Sequence, residues 1–181
     1  MALTYKRSLL ANTGPILSNV IIDQSDTITL GDVVKVRNGN LEVATAGDAV
    51  FGVVHDIVDK NGDSVFGSLA VLGSATISGG NTVAVASDNE TVDLIAAKVD
   101  CSQYSLYSAK QDGTMGTTTA SDKIGGWADL TDETQIDEST HTRTITTGGT
   151  FTTWGEDPVD TTRILVSINE SEILGPCKAL A

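Results

Sequence analysis

The chain has 181 residues and a net charge of −13, from 24 acidic against 11 basic side chains. That balance excludes a duplex nucleic-acid binder, which needs a basic face to displace counterions. No apolar run approaches the ~20 residues of a membrane-spanning helix, and aromatics at only 4% call for a core of Val, Ile, Leu and Ala.

Thr is the most frequent residue and Gly is abundant. Thr, Val and Ile suit the pleated strand, while Gly punctuates turns. Helix formers never assemble into a sustained run of 3.6-residue period. An all-β chain is expected, built from short strands as a small barrel or sandwich.

Residues 1–22 read as an extended N-terminal arm. Lys6 and Arg7 are its only charges, and Gly14-Pro15 breaks its middle. Leu9-Leu10 and Ile21-Ile22 are awkward to leave in water, which favours an arm that docks on a neighbour. The bland alternative is a frayed terminus whose last residues join the sheet. Lys6, Arg7, Leu9 and Leu10 are the candidate partner contacts. The charged start and Leu9-Leu10-Ala11 mimic a secretory leader, but Asn12, Gly14 and Pro15 break it and no clean cleavage site follows.

Residues 23–100 read as a β-barrel core. Expected strands are 27–30, 32–37, 41–43, 50–57, 64–72, 74–77, 82–86 and 91–99. Asn38-Gly39 is the sharpest turn signal, because both residues tolerate the positive φ of a two-residue hairpin. Gly47-Asp48, Asn61-Gly62 and Gly79-Gly80-Asn81 mark further turns. Strands this short at this spacing suggest closure, which hides edges that would otherwise aggregate.

Residues 101–181 read as a second β region packed on, or continuous with, the first. Expected strands cover 103–109, 115–119, 123–130 and 163–168, the last the most apolar run of the chain. A second hairpin is expected from 141–147 and 150–154 about Gly148-Gly149. The acidic stretch Asp129, Asp132, Glu133, Asp137 and Glu138 reads as a solvated loop, or as a rim that pairs with basic groups of a neighbour.

Asp59-Lys60-Asn61-Gly62-Asp63 begins like a calcium loop, but Ser64 and Ala70 stand where such a loop needs Gly and Glu. A hairpin or exposed turn is expected, and no metal. His55 and His141 are the only histidines, and no strained serine elbow accompanies them. Neither catalysis nor a cofactor is expected. Cys101 and Cys177 fit no zinc spacing and make no disulfide scaffold, so reduced thiols are favoured, with a bridge between the two as the alternative. Trp127 and Trp154 adjoin Gly125-Gly126 and Gly155. They read as packed residues or, alternatively, as interface anchors, since Trp concentrates binding energy in a partner's pocket.

The order of residues 31–54, GDVVKVRNGNLEVATAGDAVFGVV, resembles the small β domain of capsid decoration (cement) proteins of tailed bacteriophages. A weaker likeness extends through Trp127, Trp154-Gly155 and Arg163–Ile168. The resemblance implies a β-tulip-like fold and a non-enzymatic role on the outer surface of a virion. Its partners would be the major capsid protein and further copies of itself, as a homotrimer, with synthesis in the host cytoplasm. The alternative is a head-fibre, tail or carbohydrate-binding β module that contacts a host surface.

Overall fold

The computed structural model describes residues 3–9, 15, 17–113, 124–142 and 149–169. They form fourteen strands and no helix: β1 (Thr4–Ser8), β2 (Leu17–Ile21), β3 (Thr27–Thr29), β4 (Val33–Arg37), β5 (Asn40–Val43), β6 (Gly52–Val58), β7 (Thr76–Ser78), β8 (Thr82–Ala84), β9 (Ala96–Asp100), β10 (Ser105–Gln111), β11 (Ile124–Asp132), β12 (Gln135–Thr142), β13 (Phe151–Glu156) and β14 (Arg163–Ile168). The all-β expectation holds.

Two sheets close on themselves. The first runs β2-β9-β6-β4-β5. A parallel bridge from Ile22 to Leu41 joins its ends, and the Asp23 N–H donates to the Leu41 carbonyl at 2.9 Å. The second runs β10-β12-β11-β13-β14 and closes where β14 returns to β10. The small sheet β3-β8-β7 caps the first barrel, sending Ile28 and Val83 into the core that also holds Ile57 and Val99.

The β4–β5 hairpin forms where Asn38-Gly39 predicts it, with φ of 52° and 92° at the two residues. The β-branched run before it has a further role. Val33 pairs with Val53 across β4 and β6. Both side chains enter the core of the second barrel, whereas the next residues, Val34 and Val54, enter the core of the first. Alternation along a strand sends neighbours to opposite faces. This ribbon therefore lies between two cores and is apolar on both faces, as a doubly covered strand must be. The Val33 N–H donates to the Glu133 carbonyl at 2.8 Å, a backbone link between the two halves.

Several expected elements differ. The N-terminal segment is not an arm outside the β core: β1 pairs with β10, β2 pairs with β9, and Leu3 is buried in the second core. Each strand fills an edge that the long-range partner leaves open, which local sequence does not reveal. Residues 64–72 are turns rather than a strand. The acidic stretch is not a loop; it is the β11–β12 hairpin, whose inward positions carry Ala128, Leu130 and Ile136. Strand β13 pairs with β11 and β14, so no 141–154 hairpin forms among the described residues. The expected strand at 115–119 lies outside them.

Candidate functional site

Lys6 sits on β1, whose partner β10 also neighbours β14. From there its ammonium reaches the Asp157 carboxylate at 2.9 Å. Asp157 is 2% exposed. Its side chain also accepts from the Val159 N–H at 2.9 Å and is hydrogen-bonded to Ser108. The hydrogen bond from Ser108, together with Lys6, holds the carboxyl well below the usual carboxylate range. Arg163 completes the network, donating from Nε to Ser108 Oγ at 2.9 Å. Lys6 is therefore engaged within the chain. Arg7 is exposed, Leu9 is half-buried, and Leu10 lies outside the described residues.

Trp127 and Trp154 stand on the outer face of the second barrel. Trp127 pairs in register with Thr152, and Trp154 pairs with Ile124. The inward residues of those strands are Ala128, Phe151 and Thr153, which are buried. Trp127 is half-buried, while Trp154 is 44% exposed and Ile124 is 51% exposed. The Trp154 indole donates from Nε1 to Ser167 Oγ at 2.9 Å, which fixes the ring's orientation.

Beside Trp154 lies an open groove of about 380 Å³. Tyr104, Leu9, Gln103, Ile168 and Asn169 line it together with Trp154. The Leu9 N–H donates to the Tyr104 carbonyl at 2.6 Å, which brings the end of β1 to the rim. The expectation from sequence named Leu9 and Trp154 separately, and the fold brings them together. Tyr104, Gln103 and Asn169 were not anticipated. The groove's walls come from four segments far apart in the chain, and no local pattern marks them.

A second cavity, about 360 Å³, opens at the junction of the barrels between Tyr5, His55, Asp100 and Tyr107. Tyr107 donates its phenol proton to Asp100 Oδ2 at 2.6 Å. Burial and the Asp100 charge push the phenol well above its ordinary pKa. A phenol held neutral against a carboxylate is a poor nucleophile and a poor base. His55 is exposed and meets Tyr5 edge to face, with ring centroids 6.3 Å apart. The cavity reads as a packing seam.

Several of the other acidic residues serve the backbone. Asp59 is buried and accepts from the Asn61, Asp63 and Val71 N–H groups at 2.8 to 3.0 Å, so its carboxylate is committed to the turn. The bond from Val71 leads in holding it below the ordinary carboxylate range. Asp129, Asp132 and Asp137 each accept backbone N–H bonds within the second barrel. Oxygens of Asp112, Asp137 and Glu138 lie within 4.8 Å of one another. Asp112 and Glu138 are hydrogen-bonded, which lowers the first carboxyl and raises the second, as when two acids share a proton.

Cys101 is buried and disulfide-bonded, which corrects the expectation of a reduced thiol. The chain's other cysteine, Cys177, lies outside the described residues. The sequence matches no protein-family profile, no curated protein and no solved structure.

Proposed function

We propose that the chain is a non-enzymatic structural protein of a tailed-bacteriophage virion, seated on the outer capsid surface as a homotrimer and clamping neighbouring major capsid subunits. The observation that supports this reading most is the exposure of large apolar side chains on β7 and on the segments beside β7 and β8. Leu69 is 78% exposed and Val92 is 56% exposed, and Val71 and Ile77 are also exposed. The Ser74 N–H donates to Asp93 Oδ2 at 2.9 Å, which ties the loop that follows Leu69 and Val71 to the turn that carries Val92. Large apolar side chains grouped on a surface mark a contact site.

Strand β7 adds a second means of attachment. All three of its residues are exposed, and β8 covers one of its sides. A free sheet edge can accept a strand from a neighbour through backbone hydrogen bonds. Individually weak contacts of this kind accumulate over a shell through multivalency. The net charge of −13 discourages association between copies in solution and favours a basic partner surface.

The test is co-sedimentation of the purified protein with undecorated heads of the phage whose genome encodes it. Wild type should decorate, and the double variant Leu69→Asp, Val92→Asp should not, with unchanged circular dichroism. Failure of wild type to bind heads removes the reading. The alternative, contact with a host-surface glycan, needs Tyr104 and Trp154 free to stack, and a glycan array tests it.

A further inference from the structure

Thr152 and Trp154 stand two residues apart on β13, so both side chains leave the outer face of the second barrel. Ser167 of β14 pairs in register with Thr152 and accepts the Trp154 indole proton. Gln103 and Tyr104, in the turn before β10, line the same groove. That turn is tied down. The Tyr104 N–H donates to Ser102 Oγ at 3.2 Å, and its carbonyl accepts from the Leu9 N–H. The two aromatic side chains are therefore set in place before any ligand arrives, which lowers the cost of binding.

Two properties of the lining narrow the ligand. No charged side chain lines the groove, although 19% of the chain's residues are charged. An ionic ligand would meet no counter-charge there, and the net charge of −13 repels phosphates. Aromatic rings stand beside polar groups that the fold itself leaves unused. Among the described residues, the Gln103 amide and the Tyr104 and Thr152 hydroxyls make no hydrogen bond.

We propose that the groove is a subsite for one pyranose ring of a neutral sugar. A pyranose has a C–H face and a rim of hydroxyls. The slightly positive C–H groups suit the negative faces of the Trp154 and Tyr104 rings. The rim hydroxyls both donate and accept, as do the Gln103 amide and the Tyr104 and Thr152 hydroxyls. The groove's volume, about 380 Å³, lies at the small end of ligand sites. The site does not depend on Leu69, Val71, Ile77 or Val92, on which the capsid reading rests.

Saturation-transfer NMR tests this with methyl β-glucopyranoside, methyl β-galactopyranoside and methyl N-acetyl-β-glucosaminide as probes. Transfer should reach the ring C–H protons of at least one of them, with a millimolar dissociation constant, as so small and open a site implies. Methyl β-glucuronide should bind about tenfold more weakly, because its carboxylate finds no partner. Trp154→Ala and Tyr104→Ala should each abolish transfer, and Gln103→Ala should weaken binding about three- to tenfold, all with the β circular dichroism retained. Should Trp154→Ala unfold, Tyr104→Ala decides alone, since that side chain makes no internal hydrogen bond. The Leu69→Asp, Val92→Asp protein should bind the sugars as wild type does. Three results would overturn the proposal: no transfer to any of the neutral glycosides, equal binding of the glucuronide, or transfer that survives Tyr104→Ala. Loss of transfer in the Leu69→Asp, Val92→Asp protein with its fold intact would overturn it too, by placing the sugar elsewhere.

Discussion

Tyr107 donates its buried phenol proton to Asp100 at 2.6 Å, joining β10 of the second barrel to β9 of the first. The two residues stand seven positions apart, at the point where the chain passes from one barrel to the other. Asp100 also accepts from the Ser102 N–H at 3.1 Å, so the carboxylate organises the crossing turn as well as the clasp. Tyr107→Phe removes the donor and leaves a buried carboxylate short of one partner. The expected loss is about 1–3 kcal/mol, the usual cost of an unmet hydrogen bond to a buried polar group. Urea unfolding followed by circular dichroism measures it, and an unchanged midpoint would show that the clasp contributes nothing.

Asp32 gives the protein an unusual pH dependence. It is 3% exposed, and its Oδ2 accepts from the Thr29 N–H at 2.7 Å while Oδ1 has no partner. Burial pushes its carboxyl up to about 7, opposed by the Thr29 bond and reinforced by Glu133, Asp26 and Asp132. Between about pH 4 and pH 7 the folded protein therefore holds a proton that the unfolded chain has lost. Stability falls as pH rises through that window, by up to about 4 kcal/mol at ~1.4 kcal/mol per unit. Asp157 acts in the opposite sense, because its depressed carboxyl loses its stabilising charge as pH falls below about 4. Asp32→Asn should match wild type near pH 4 and exceed it at pH 8. Parallel pH profiles of the two proteins in urea titrations would rule this out.

The parts of the fold that were legible in sequence are those set by local chemistry. Asn38-Gly39 specifies its hairpin by its own φ preferences, and the run Arg163–Ile168 is apolar because it becomes β14 of a closed barrel. What stayed hidden depends on distant partners. Tyr5 reads as part of an irregular arm until Tyr107 is placed opposite it, about a hundred residues later. The carboxylates of 129–138 masked a hairpin because Asp129, Asp132 and Asp137 cap backbone donors, while the informative residues, Ala128, Leu130 and Ile136, are few and widely spaced. Residues 64–72 carry strand-forming side chains, but Asp59 captures the Val71 N–H and bends the segment into turns. The groove at Trp154 was half legible, since Trp154 and Leu9 were singled out and Tyr104, Gln103 and Asn169 were not.

Gly52 begins β6 where that strand meets β9. A Cβ at this position would sit 2.5 Å from the Asp100 carbonyl oxygen and 3.0 Å from its carbon. Both are backbone atoms of a central strand and have little room to retreat. Gly52→Ala should cost about 1–3 kcal/mol, as overpacked cores do. It should also weaken the Asp100–Tyr107 clasp by shifting Asp100. A double-mutant cycle with Tyr107→Phe measures that coupling, and strict additivity would separate the two effects.

Lys6 decides whether the N-terminus is an attachment arm or part of the barrel. Its ammonium meets a carboxylate that is almost wholly buried, and through Ser108 the same network reaches Arg163 on β14. An exposed ion pair contributes little, but here one partner is out of water, so leaving it unpaired is costly. Lys6→Met should lower stability by about 1–3 kcal/mol. Lys6→Glu should lower it further, because it sets a second carboxylate against Asp157. Deleting residues 1–9 also removes Leu3 from the second core and exposes the β10 edge. The truncated chain should therefore melt well below wild type and expose apolar surface to a hydrophobic dye. A truncated protein with the wild-type melting temperature would return the segment to the role of a dispensable arm.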